Sequence, residues 1–462
     1  DLTLGVVTGG SNTLTLSTGD NVANSDITAS GNISGVTTLT LADVGGTATL
    51  SGDVDVTTLT VGNTVANVAF TGNGSSVVNA VSFANDGTLI LGASGGTQTY
   101  NGGLTTTGVG STVTLNGTIA TSNDAVVLGA VTLGSATTVD TNASDTTGDI
   151  IIGAVTGGSN ALTLSTGDNV ANTDITAESA ISGVTTLTLA DVGGTAILSA
   201  DVDVTTLAVG NTVANVAFTG NGSSVANAVA FANDGTLTLG TSGGQQNYNG
   251  GLTTTSVGGT VTLAGSIDSS NDVMTFGAIT LAAATTLDTN ASNTTGDTTI
   301  GAVTGNNNNL TLDTTGITGS ASHTFTGDIN LGTGRLLVKG DMVLGANVTI
   351  TATPSSGHGI RFNDKINADD ASSNDRTLTL DSGTASSIRI DHKIGDSQPL
   401  AGLTVIQSKN ADFRNTVDVT DSNAGTITIT DTVNGRNIVF RGTTAADSFV
   451  TTTEGYDIFF FN

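Results

Sequence analysis

Aligning residues 1–148 with 149–296 requires no gap, and 115 of the 148 positions are identical. A third copy begins at Asp297 as "DTTIGAVTGNNNNLTLDTTGIT" (297–318) and then diverges. Within the copies, "VTGGSNTLTLSTGDNVANSDIT" (7–28) returns at 155–176 with two substitutions. A period this long, kept without insertion, points to a repetitive architecture in which each unit packs on its neighbours. Recent duplication accounts for the identity without selection on single residues. The chain accordingly divides into a first unit (1–148), a second (149–296), a partial third (297–334) and a divergent segment (335–462).

Each unit consists of short apolar and Thr-rich runs between turn formers: "TLTLST" (13–18), "VTTLTLADVGG" (36–46), "VDVTTLTVGN" (54–63), "GTLILG" (87–92) and "VVLGAVTLGS" (126–135). Leu39 and Leu41 alternate with Thr38 and Thr40, the period of a half-buried strand. Gly, Asn and Asp punctuate the runs because they accept positive φ and form local turn hydrogen bonds. No helix-period stretch is present, so the chain reads as all-β. Two architectures fit: a parallel β-helix (β-solenoid) and a row of tandem β-sandwich domains. Aromatics are 3% of the residues, Trp is absent and Pro occurs twice. Slim aliphatic stacks therefore suit the sequence better than a thick sandwich core. At ~20–25 residues per coil, a 148-residue unit holds six or seven coils, about 30 Å at the strand spacing of ~4.8 Å. On this reading the return of residues 7–28 at 155 is the next stretch of the same wall.

The charge is segregated. Residues 1–334 hold 23 Asp and one Glu with no Lys or Arg; residues 335–462 hold all 11 Lys and Arg against 15 acids. A net charge of −28 repels nucleic acid and anionic membranes and offers no phosphate-neutralising patch. No apolar run approaches the ~20 residues of a membrane-spanning helix. The chain has no Cys, which removes disulfides and thiol catalysis, and this acid-rich, Cys-free composition is common in exported bacterial proteins. The expected location is extracellular, on a bacterial cell surface.

"GGTQTYNGG" (95–103), its copy "GGQQNYNGG" (243–251), "AITLAAATTLDTN" (278–290), "RTLTLDSGT" (376–384) and "IGDSQPLAGLTV" (394–405) resemble repeats of filamentous-haemagglutinin-like exoproteins and autotransporter passengers. The resemblance implies a right-handed parallel β-helix displayed on bacteria for adhesion, coating or extension. It brings no functional residues with it.

Polygalacturonase-like fragments occur as Asn172-Thr173-Asp174, Asp369-Asp370, Gly357-His358-Gly359 and Arg389-Ile390-Asp391, but in the wrong order. The first lies nearly two hundred residues from the rest, although paired acids must flank one bond within ~10 Å. None of the three His adjoins a Gly-x-Ser-x-Gly elbow. The expectation is that the protein is not an enzyme. Calcium is the one candidate cofactor, with Asp53, Asp55, Asp201 and Asp203, and also Asp20, Asp26 and Asp86, as hard oxygen ligands near turns. Against it stands the simpler reading that Asp terminates strands. Thr-x-Thr runs are too irregular for an ice-binding array, and sequons such as Asn73-Gly74-Ser75 arise readily by chance. Phe459, Phe460 and Phe461 form a candidate end-contact patch. The expected function is a rod-like stalk, adhesin or fibre subunit whose partners are further copies of itself or glycans. The alternatives are a surface-layer or sheath lattice protein and a carbohydrate-active β-helix enzyme.

Overall fold

Leu39 and Leu41 are buried in a strand, Ile33–Ala42, while Thr38 and Thr40 are partly exposed on its other side. The same alternation runs through Val54–Val61, Val113–Ala120 and Val131–Asp140. The computed structural model describes all residues except 20–22, 168–170, 291–294, 316–320, 370–375, 421–424, 433–435, 447, 452–456 and 462. Among the described residues there is no helix, and the strand pairings that define the ladders below are parallel. Parallel pairing of successive turns among the described residues excludes the tandem sandwich, whose sheets are antiparallel. The chain forms two compact units, residues 1–225 with 232–237, and residues 226–231 with 238–462. Each is a right-handed parallel β-helix.

In the first unit one inward column runs Leu2, Ile27, Ala48, Val68, Leu89, Val113, Val131, Val155, Ile181, Val202, with successive members 18 to 26 residues apart. A second face carries the ladder Thr8, Ser34, Asp55, Ser76, Thr99, Ala120, Asp140, Ser165, Ala190. A third carries Leu14, Leu39 and Leu59, and higher up Val81, Leu104, Val126, Ile150, Ile175, Ala196 and Val216. Three ladders per turn make a three-sided coil, with the core as aliphatic columns on its axis.

These ladders fix the phase of the repeat. Leu2 belongs to the first face, yet its counterpart Ile150 stacks on Val126 of the third. Thr8 lies on the second face, and its counterpart Thr156 pairs with Thr132 of the first. A repeat is therefore six coils and two further sides. The stretch 7–28 returns not on the same wall but on the neighbouring one. Hydrogen-bonded ladders also cross each boundary of sequence similarity, from Val126 to Ile150, from Met274 to Thr298 and from Leu310 to Leu336. The repeats are thus units of duplication rather than separately closed bodies.

The motif "GGTQTYNGG" has a packing role. Gln98 is fully buried inside the coil, where its Nε2 donates to the carbonyls of Phe70 (2.8 Å) and Gly72 (3.2 Å) and its Oε1 accepts from Tyr100 Oη (3.0 Å). Phe83 meets the Tyr100 ring edge-on at 6.3 Å. Burial raises the Tyr100 phenol above its ordinary value, so it stays a donor. The copy repeats the pair, Tyr248 Oη donating to Gln246 Oε1 at 3.0 Å. Replacing Gln98 with Ala strands two carbonyls and a phenol in the core. We expect a loss of about 3 kcal/mol in urea unfolding, against under about 0.5 kcal/mol for Thr99→Ala on the outer side of the same strand.

In the second unit the equivalent column runs Val229, Leu252, Met274, Thr298, His323, Met342, Ile366, Ile394, Val417, Thr444. Its core is richer in aromatics, with Phe276, Phe325, Phe362, Phe413 and Phe440 fully buried. Phe413 and Phe440 stack at 4.8 Å.

Candidate functional site

The corners of the coils explain a recurrent set of the Asp residues. A parallel ladder ends at each corner and leaves a backbone N–H without a strand partner. An Asp or Asn one coil below supplies the acceptor. Asp53 Oδ1 accepts from Gly74 N (2.7 Å), and Asp201 Oδ1 from Gly222 N (2.6 Å). Asp26 takes Thr47 N (2.7 Å) and Asp174 takes Thr195 N (2.6 Å). Asn67 and Asn215 do the same for Thr88 and Thr236, both at 2.9 Å. Gly194 is required beside Asp174, because a Cβ there would collide with Asp174 Oδ1. These side chains stitch each coil to the next, and either an Asp or an Asn oxygen serves as the acceptor.

Asp53 and Asp201 are thus coil stitches, while Asp55 and Asp203 face outward and are exposed. No three His, Asp or Glu side chains gather into an ion site among the described residues. Asp20 lies outside the described residues. The stitch reading makes two predictions about the acceptor. Asp201→Asn keeps it and changes stability by less than about 0.5 kcal/mol, whereas Asp201→Ala loses about 1 kcal/mol. Chelation with EDTA leaves the melting temperature unchanged, and a drop on chelation would restore calcium to Asp53, Asp55, Asp201 and Asp203.

Asp55 and Asp203 line twin open grooves. One, of about 310 Å³, is formed by Ser11, Gly35, Thr37, Asp55, Thr57 and Ser76; the other, of about 350 Å³, by Ser159, Gly183, Thr185, Asp203, Thr205 and Ser224. Both arise where the backbone turns through left-handed residues, Ser11 and Gly35 (φ 66°) in one and Ser159 and Gly183 (φ 66°) in the other. Neither carboxylate has a hydrogen-bond partner among the described residues. Asp55 lies on the second face with Ser34 and Ser76, and Asp203 on the first with Ser182 and Ser224. The phase of the repeat thus presents one groove on two sides.

The polygalacturonase-like fragments do not assemble as an acid pair. Asp369 is held bidentately by Arg376 at 2.8 Å through both oxygens, and Asp370 lies outside the described residues. Asp174 is a corner stitch. Arg389 and Asp391 pair with each other at 2.7 Å.

That pair belongs to a charged face of the second unit, where the mixed charges of the C-terminal segment form an exposed ladder. Arg361 and Arg389 are successive rungs of one ladder, followed by Asp412. Beside it run Asp391, Arg414 and Arg441, with Arg414 N donating to Ile390 O and Arg441 N to Phe413 O. Asp391 contacts Arg389 (2.7 Å), Arg361 (3.3 Å) and Arg414 (3.5 Å); Asp412 contacts Arg441 (2.7 Å) and Arg414 (2.9 Å). Partial burial pushes the Asp391 carboxyl up, but Arg389 and Arg361 outweigh it and hold the group below its ordinary value. Burial, then Arg389 and Arg361, lowers the nearby His358. The spacing was the available signal: 28 residues separate Arg361 from Arg389 and 27 separate Arg414 from Arg441, about one coil each.

The Phe patch divides. Phe460 stacks on Phe440 at 5.2 Å, whereas Phe459 and Phe461 pair with each other at 6.1 Å. Arg441 lies over the Phe461 ring at 5.8 Å. All three rings are exposed, by 38%, 52% and 52%. No helix among the described residues is long and apolar enough to cross a membrane. No protein-family model, no curated protein and no solved structure matches this chain.

Proposed function

We propose that the protein is a structural or adhesive element of a bacterial cell surface, a stalk, adhesin or fibre subunit, and that it performs no catalysis. The observation that carries this reading is the use made of the duplication. Within each unit the ladders run unbroken through a repeat boundary, and in the first unit the repeat multiplies the same outer groove on two sides. Duplication that adds length and repeats surface suits a molecule that reaches or coats. The resemblance of the Gln-Tyr and "TLTL" segments to surface exoproteins supports the same reading, and so does a composition without Cys. In the source cells, external protease should remove the protein from intact cells, and an antibody should label their outside. Protection inside intact cells would overturn the proposal. Polysaccharide turnover lost in Asp369→Ala would overturn its non-catalytic part.

A further inference from the structure

We propose that the arginine face of the second unit is a docking surface for the acidic corner rows of a second copy of this chain. The face sets four guanidiniums, Arg361, Arg389, Arg414 and Arg441, against two carboxylates, Asp391 and Asp412, and so carries an excess of two positive charges on a molecule of net −28. Arg389, Arg414 and Arg441 bond their aspartates through Nε. The terminal nitrogens of each donate no hydrogen bond among the described residues, and those nitrogens are available to take a further carboxylate.

The partner chemistry is present in the same chain. Residues 1–334 contain no Lys or Arg to neutralise their acids. In the first unit Asp149 and Asp174 are successive rungs at a corner, as are their counterparts Asp1 and Asp26. Asp149 Oδ1 accepts Asp174 N (2.9 Å) and Asp174 Oδ1 accepts Thr195 N (2.6 Å), leaving each Oδ2 for an outside donor. The arginines are likewise paired one rung apart. Both spacings are set by the same parallel-strand rise of ~4.8 Å. Two carboxylates of one copy therefore meet two guanidiniums of another in register, a match that favours a second copy over an anionic polysaccharide.

The contact joins unlike surfaces, so a docked pair still presents one free basic face and free acidic rows, and growth stays open-ended. This deepens the fibre-subunit form of the reading above and rests on it. Opposing the contact is the repulsion of two molecules of charge −28. With a Debye length of about 30 Å at 0.01 M salt, about 8 Å at 0.15 M and about 3 Å at 1 M, repulsion dominates at the low end and screening removes the pairing at the high end.

The test is sedimentation velocity on the full chain across that salt range. Association should peak near about 0.15 M salt and weaken on either side. Asp→Asn at positions 1, 26, 149 and 174 keeps every corner acceptor, as Asn67 and Asn215 show. It should weaken self-association at least about tenfold. Arg→Gln at 361, 389, 414 and 441 should do the same, with the Asp→Asn protein as the version whose fold is not at risk. Association that persists in both variants would overturn the docking surface while leaving a fibre subunit in place. A wild-type chain that stays monomeric at every salt would overturn both. Monomeric protein retained on polygalacturonate beads only when the arginines are intact would reassign the face to anionic polysaccharide.

Discussion

Excising residues 149–296 should leave a protein that folds and melts within about 4 °C of the parent, although nearly a third of the chain is gone. The cut joins Gly148 to Asp297, and Thr298 then meets Val126 as Ile150 did, because Met274, its present partner, is the counterpart of Val126. That the excision removes six coils and two sides rather than whole coils does not matter. Each strand senses only the rung beneath it, and those local partners are restored. Excising half a repeat, 149–222, should behave differently. Ser223 then falls where Asp149 stood, and every strand above it lies on a rung with the wrong corner lengths and the wrong inward residues. With several Val, Leu and Ile side chains displaced at about 1.5–3 kcal/mol each, the melting temperature should fall by at least about 10 °C. Circular dichroism melts of the two deletions separate the outcomes.

Acidification should destabilise the second unit through His323. Its ring occupies the inward column between Thr298 and Met342 and is fully buried. Nε2 lies 3.0 Å from Lys339 O and Nδ1 has no partner, an arrangement suited to the neutral imidazole with its proton on Nε2. Burial lowers its pKa to about 4 from 6.5, against smaller opposing effects of the Lys339 hydrogen bond, Asp313 and Asp297. The unfolded chain thus binds the proton more readily, and stability is complete above about pH 6.5. It falls as pH drops toward 4, by about 3 kcal/mol over that window. His323→Met, matching Met342 on the next rung, should lack this component, so the variant's stability relative to wild type should rise by about 2–3 kcal/mol between pH 7 and pH 4.5. A pH-independent difference would show that the ring is protonated or hydrated in the fold.

Much of the fold was legible in short-range pattern. Alternation in "TTLTLAD", turn formers between runs and scarce aromatics led to stacked strands, and the ungapped 148-residue period to a solenoid. The phase of that period was not legible, because coil lengths in the first unit vary from 18 to 26 residues and bulges such as those between Ser34 and Val36 and between Leu115 and Gly117 consume residues without advancing the ladder. The hydrogen-bond partners of the Asp residues were not legible for a related reason. Asp53 and Asp201 look like ligands near turns, but the N–H each accepts belongs to a residue 21 positions later. Only the pitch of the coil reveals that partner. Gln98 and Tyr100 were noticed as a motif, yet nothing local in "TQTY" separates an inward Gln that caps two carbonyls from an outward one.

The repeat rotates from one side of the coil to the next. A chain without native Cys permits a clean test with two double variants. Val127 and Ile151 are adjacent rungs on one face, whereas a repeat of whole coils would bring Ile151 above Thr132 instead. Adjacent rungs put Cα atoms within the roughly 4.4–6.8 Å that a disulfide spans. Under mild oxidation, Val127→Cys with Ile151→Cys should cross-link within one chain, and Thr132→Cys with Ile151→Cys should not. A cross-link between positions 132 and 151, with none between 127 and 151, would contradict the phase and with it the three-sided arrangement of the repeats.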